Sequence, residues 1–150
     1  MSLPFLKEFK KSINKNETIS EGLMKHTQWL STGNYALNRA LSGSFTRGIP
    51  LGKLVLYCGP SNSGKSFIAS NAMVQAQKEG YHIVVLDSEN ALDVEYLKKI
   101  GVKTSEDSFT YIQVTTIEDV NTVCSEFFSS YKKAYGKDNE ESPKVLFVLD

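Results

Sequence analysis

The octet Gly59-Pro60-Ser61-Asn62-Ser63-Gly64-Lys65-Ser66 constrains this chain more than any other stretch, because it fits the phosphate-cradling pattern G-x-x-x-x-G-K-[ST]. Glycines at both ends let the backbone curl so that its N–H groups converge on anionic oxygens. Such a loop works only between a strand and a helix. Leu54 to Cys58 reads as a buried strand entering it. Ser66 to Glu79 reads as a helix leaving it, with Ile68, Ala69, Ala72, Met73 and Ala76 on one face and Gly80 as its cap. The octet therefore implies a bound nucleoside triphosphate, with Lys65 reaching the outer phosphates, Ser66 ligating Mg²⁺, and a helix dipole beneath.

The rest of the chain repeats the alternation. Tyr81 to Asp87 reads as a second buried strand, with His82 solvent-facing or satisfied at its start, and a helix follows from about Ala91 to Ile100, carrying Leu92, Tyr96, Leu97 and Ile100 on one face. Phe109 to Val114 alternates like a strand. Thr116 and Asp119 resemble a capping box before a helix bearing Ile117, Val120, Cys124, Phe127, Phe128 and Tyr131. Val145 to Leu149 is a last buried strand, tipped by Asp150, after a charged stretch from Gly136 to Lys144. Upstream, Phe5, Leu6, Phe9 and Ile13 mark a short amphipathic helix, Asn14 to Thr27 a polar linker, Tyr35 to Leu41 a helix, and Ser42 to Gly52 turns. Strands alternating with helices require a mostly parallel α/β sheet with right-handed crossovers, and ligands lie beyond the strands' carboxyl ends. The P-loop, Asp87 and Asp150 all fall on that edge.

Composition supports one core. Of 150 residues 41% are hydrophobic, and 17 basic residues balance 17 acidic ones. No basic excess announces a nucleic acid, although a short basic loop would not move the total. No apolar run of about 18 residues offers a membrane span, and the charged N-terminus does not fit a signal peptide. Cys58 and Cys124 form no metal or redox spacing and read as reduced core thiols of a cytoplasmic protein.

Triphosphate hydrolysis needs a carboxylate to hold Mg²⁺ and a polar group to orient water. Two strands end in acids, so two assignments fit. Asp87 serves the metal with Glu89 beside it and Asp150 stands by; or Asp150 serves the metal and Glu89 is the general base. Strand-end acids also simply cap following helices.

Ser31-Thr32-Gly33, Ala40-Leu41, Gly48-Ile49-Pro50-Leu51-Gly52, the octet, Leu86-Asp87-Ser88-Glu89-Asn90-Ala91-Leu92-Asp93 and Tyr96 to Val102 follow in an order and spacing that resembles the ATPase core of the RecA recombinases over residues 30 to 150. Ala40-Leu41-Ser42-Gly43 and the Gly-Pro-Ser opening of the loop look closest to the phage-encoded UvsX branch. Asn90 and Val94 depart from the bacterial pattern, while Gly64 keeps a glycine that some phage members replace. The resemblance implies a P-loop NTPase fold in two parts: residues 1–30, a helix and linker for subunit docking, and residues 31–150, an ATP-binding core. It implies that Glu89 activates the attacking water, Asp150 is the acid near Mg²⁺, and Asp93 and Tyr96 hydrogen-bond and stack on adenine. It further implies an ATP-dependent recombinase that forms filaments on single-stranded DNA and exchanges strands with duplex DNA. A further strand and the DNA-contacting loops are expected beyond Asp150, leaving residues 1–150 marginally stable alone and weak in ATPase activity. A ring-forming motor ATPase of the helicase type, a small-molecule kinase and a non-hydrolysing nucleotide-binding regulator are the competing readings.

Overall fold

In the computed structural model, the described residues are 3–13, 28–90, 92–136 and 142–150. Three strands make the main sheet: β3 (His82–Asp87), β4 (Phe109–Gln113) and β5 (Val145–Leu149), following β1 and β2 below. The order is β4-β3-β5, and both pairings are parallel. Parallel strands need crossover connections, and helices supply them. The helix α4 (Val94–Ile100) joins β3 to β4, and α5 (Ile117–Tyr135) joins β4 to β5.

The central strand reads as an unbroken apolar run because both its faces are covered. Ile83 and Val85 point into one core with Met73, Ala76, Leu97, Val102 and Phe109. Val84 and Leu86 point into the other, against Val114, Val120, Val123, Cys124 and Phe147. Met73 and Ala76 belong to α3 (Lys65–Lys78), the helix that leaves the octet. The sheet thus lies between α3 and α4 on one side and α5 on the other. The capping box at α5 forms as expected: Thr116 Oγ1 accepts from Asp119 N, and Asp119 accepts from Thr116 N. His82 is satisfied, by Asp107 O and Thr110 Oγ1.

A smaller unit precedes the octet. β1 (Trp29–Leu30) pairs antiparallel with β2 (Ile49–Pro50), which falls inside the stretch Ser42 to Gly52 read from the sequence as turns. Between them lies α2 (Tyr35–Ser42), capped by the Asn34 side chain and ended by Gly43 at φ 77°. The N-terminal helix α1 (Pro4–Ile13) forms as expected and buries none of its residues. The linker from Asn14 to Thr27 lies outside the described residues.

Four expectations need correction. Residues 54–58 form no strand; Leu54 is 97% and Leu56 80% exposed. A strand exists only by pairing, and an apolar groove of about 770 Å³, lined by Leu54, Phe127, Tyr131, Leu146 and Phe147 among others, separates this segment from β5. Cys58 is accordingly exposed rather than a core thiol, while Cys124 is half-buried; both are free. The strand β5 is half-buried, with Leu149 61% exposed, because it is the sheet's edge on that side. Helix α4 starts at Val94 rather than near Ala91, because Asn90 takes a left-handed φ of 54° and Asp93 caps the helix by accepting from Glu95 N.

Candidate functional site

The octet keeps its loop shape through two left-handed residues. Asn62 has φ 60° and Gly64 φ 89°. A side chain at Gly64 would find open space yet an unfavourable backbone, so this glycine is there for its conformation. A Cβ on Gly59 would lie 2.7 Å from Ser63 Oγ and 3.4 Å from Ser63 Cβ, so the Ser63 hydroxyl would have to turn away to admit it. Ser63 N donates to Pro60 O at 3.3 Å, closing the turn. Gly64 then opens α3 without any side-chain cap, leaving first-turn amides as donors for an anion. Lys65 Nζ lies back across the loop and donates to Gly59 O and Pro60 O, both at 3.1 Å.

Ser66 faces out of the first turn of α3 toward the tip of β5. Its Oγ donates to both carboxylate oxygens of Asp150, at 3.2 and 3.1 Å, across 84 residues of sequence. The β3 tip is tied to the same point. Ser88 N and Ser88 Oγ both donate to Asp150 O, at 2.8 and 2.9 Å. Residues of the octet, of β5 and of the turn that carries Glu89 therefore meet at one rim of the sheet, the carboxyl rim. Among the described residues no group of three or more His, Cys, Asp or Glu stands close enough to hold a metal. Ser66 and Asp150 form an oxygen-only pair, the donor type that could hold a hard cation such as Mg²⁺.

Asp87 has a different fate from Asp150, although both end a strand after leucine. Its side chain is 1% exposed and turned inward. It accepts from Glu89 N (3.0 Å), Asn90 N (2.7 Å), Leu92 N (3.1 Å) and Tyr111 Oη (2.7 Å). Burial by itself would push this carboxyl up. Donation from Tyr111 and the three amides outweighs burial and holds Asp87 below the usual carboxylate range. Tyr111 is raised in return, chiefly because its hydroxyl is committed to Asp87. Of the two assignments left open by the sequence, the geometry brings Asp150, not Asp87, to the serine of the octet.

Of the remaining residues singled out from the sequence, Ser61 is exposed on the loop, Glu89 is exposed on the turn after β3, and Asp93 caps α4. Tyr96 is 38% exposed and does not share the burial of Leu97, so its ring stands available on the α4 surface. Sequence reasoning did not find Tyr111 and Gln113, whose signal was a polar residue on the strand paired with β3: Val85 is in register with Tyr111 and Asp87 with Gln113. Nor did it find Asn38, a fully buried α2 side chain. Asn38 accepts from Thr32 N and Thr32 Oγ1 and donates to Ser31 Oγ and Phe45 O. This fastens Ser31-Thr32-Gly33 beside α3, where a Cβ on Gly33 would lie 3.3 Å from Gln75 Nε2.

A parallel sheet between helices, with a glycine-bounded loop opening a helix at its carboxyl rim, defines an α/β protein of the P-loop NTPase class. Comparison with known proteins narrows the class. The family model of the RecA N-terminal domain matches residues 5–125. The plasmid protein RecA of Lactococcus lactis subsp. lactis is 35% identical over 103 residues, 69% of this chain and 29% of that protein. Protein RecA of Bdellovibrio bacteriovorus is 35% identical over 100 residues, 67% of this chain and 26% of its own length. Protein RecA of Wolbachia pipientis subsp. Culex pipiens is 42% identical over 77 residues, 51% and 21%. This chain belongs to the RecA family, and it spans less than a third of the length of these curated relatives.

Proposed function

We propose that this chain carries the ATP-binding part of a DNA-dependent ATPase that acts as a recombinase, assembling as a filament on single-stranded DNA and pairing it with duplex DNA. The observation that carries the reading is the junction of Ser66 with Asp150. A serine hydroxyl at the end of a phosphate loop and a carboxylate from a distant strand tip meet by a hydrogen bond here, and together they would offer oxygen ligands to Mg²⁺. Residues 59–64 would offer backbone amides to the phosphates. Lys65 would exchange its carbonyl partners in the loop for phosphate oxygens. Ser66 and Asp150 would hold the metal, Asp150 through water. The metal, when bound, supplies positive charge to the phosphate oxygens. Glu89, on a turn tied to Asp150 through Ser88, would take the proton of the attacking water. Asp93 and Tyr96 would receive the adenine, Tyr96 by stacking on its half-exposed ring. Residues 1–30 would serve subunit docking, consistent with α1 presenting Phe5 and Phe9 to solvent, and residues 31–150 the ATP-binding core. DNA contacts and activity belong to the whole protein. Among the described residues no helix is long and apolar enough to cross a membrane, in keeping with the proposed cytoplasmic site of action.

Nucleotide binding and turnover by the full-length protein test this. Lys65→Ala should abolish binding or turnover; Glu89→Gln should leave binding and remove turnover, and single-stranded DNA should stimulate the unaltered protein. A protein that binds ATP and never hydrolyses it, whatever stands at 89, would instead be a regulatory nucleotide-binding module.

A further inference from the structure

The backbone after β3 is held by an unusual set of bonds at Glu89, Asn90 and Leu92. Three of its amides, from Glu89, Asn90 and Leu92, donate to one carboxylate, and that carboxylate is closed off by the Tyr111 hydroxyl from the neighbouring strand. Asn90 stands in the left-handed region, which asparagine enters more readily than other non-glycine residues, and its surroundings can hold it there. They do: Gln113 Nε2 donates to Asn90 Oδ1 at 2.5 Å, and Tyr111 Oη reaches the same oxygen at 3.5 Å. The turn is thus fastened from inside by β3 and from the side by β4. Glu89 itself projects into solvent from the middle of this fastened segment. The carboxylate of an exposed glutamate ranges over its own rotamers, but the backbone sets the point from which it reaches, so what holds Glu89 N and Asn90 N fixes where that reach begins.

We propose that Asp87 and Tyr111 are positioning residues for Glu89: the buried carboxylate, completed by the tyrosine hydroxyl, sets the backbone from which the general base acts. This rests on the reading of Glu89 given above. It assigns Asp87 neither to the metal nor to the cap of a following helix. Burial and the four donors account for its whole acceptor capacity, and α4 is capped by Asp93.

The test uses full-length protein with Tyr111→Phe, which removes one hydroxyl and keeps the ring, and Asp87→Asn as the stronger variant. Amide hydrogen exchange at Glu89, Asn90 and Leu92 should quicken in Tyr111→Phe while the β3 and β4 core keeps its protection. The kcat for ATP should fall between about 5- and 100-fold, with KM and the affinity for a fluorescent ATP analogue within about two-fold. Because the effect passes through Glu89, neither substitution should lower turnover further in a Glu89→Gln background. Unchanged exchange in Tyr111→Phe overturns the proposal, as does a loss that appears in KM alone or that multiplies with Glu89→Gln. If Glu89→Gln by itself keeps normal turnover, the reading of Glu89 fails. Quickened exchange with normal kcat in a protein that does depend on Glu89 defeats the positioning role alone.

Discussion

Gly48 gives the sharpest quantitative test of how the segment before the octet is built. Its backbone is not in the left-handed region, so alanine meets no conformational penalty there. It meets a steric one. A Cβ at Gly48 would lie 2.3 Å from Asn38 Oδ1, 2.7 Å from Thr32 Cγ2 and 3.0 Å from Thr32 N. Asn38 is fully buried and committed to four partners, so it cannot step aside without orphaning Thr32 N and Phe45 O. Overpacking costs about 1–3 kcal/mol and an unmatched buried polar group about as much. Gly48→Ala should therefore destabilise by roughly 2–4 kcal/mol in urea unfolding. Gly43→Ala is the control, with φ 77° and nothing within 4 Å; only the backbone term of about 1 kcal/mol remains there. Asn38→Ala removes the nearest obstacle and leaves Thr32 Cγ2. In that background the cost of Gly48→Ala should shrink by about 1–2 kcal/mol, a coupling well above the additive error. A Gly48→Ala protein within about 0.5 kcal/mol of the parent, or strict additivity with Asn38→Ala, would refute the packing argument.

Asp150→Ala should weaken binding of the Mg²⁺ complex of ATP by about 10- to 100-fold and affect metal-free ATP far less, measured by titration with and without a chelator. Thr116→Ala should lower stability by about 1 kcal/mol by opening the α5 capping box, and Thr116→Ser should restore most of it in the same denaturation assay. Asp87 has a lowered folded pKa, so its contribution is complete above the ordinary value of 3.8 and is lost as pH falls through the lower folded value. Asp87→Asn should then flatten the acid limb of the stability–pH curve in the window from about 3.8 down to the lower folded value, read from denaturant midpoints across the range; an unchanged limb would show that Asp87 does not titrate with folding.

Much of the architecture was legible because period and punctuation are local. The apolar run from Ile83 to Leu86 announces a strand covered on both faces, and Thr116 with Asp119 announces a helix start, because the residues that make those bonds are neighbours in sequence. The octet was legible for the same reason: its glycines, lysine and serine act within eight positions. Tyr111 and Asn38 were not legible, since each matters for a partner brought by folding.

Two comparisons mark where sequence stops. Leu54 to Cys58 is as apolar as β5, yet only β5 is a strand, because the hydrogen bonds that make a strand belong to the pair and β3 lies beside one segment and not the other. Leu86-Asp87 and Leu149-Asp150 are the same dipeptide at the same kind of strand tip. One carboxylate folds inward onto three amides and a tyrosine; the other meets the serine of the phosphate loop. Residue type settled that both would be acids at the carboxyl rim. Which one faced a hydroxyl in the open and which faced donors in the interior depended on the elements packed around each tip, and only the assembled sheet supplies those.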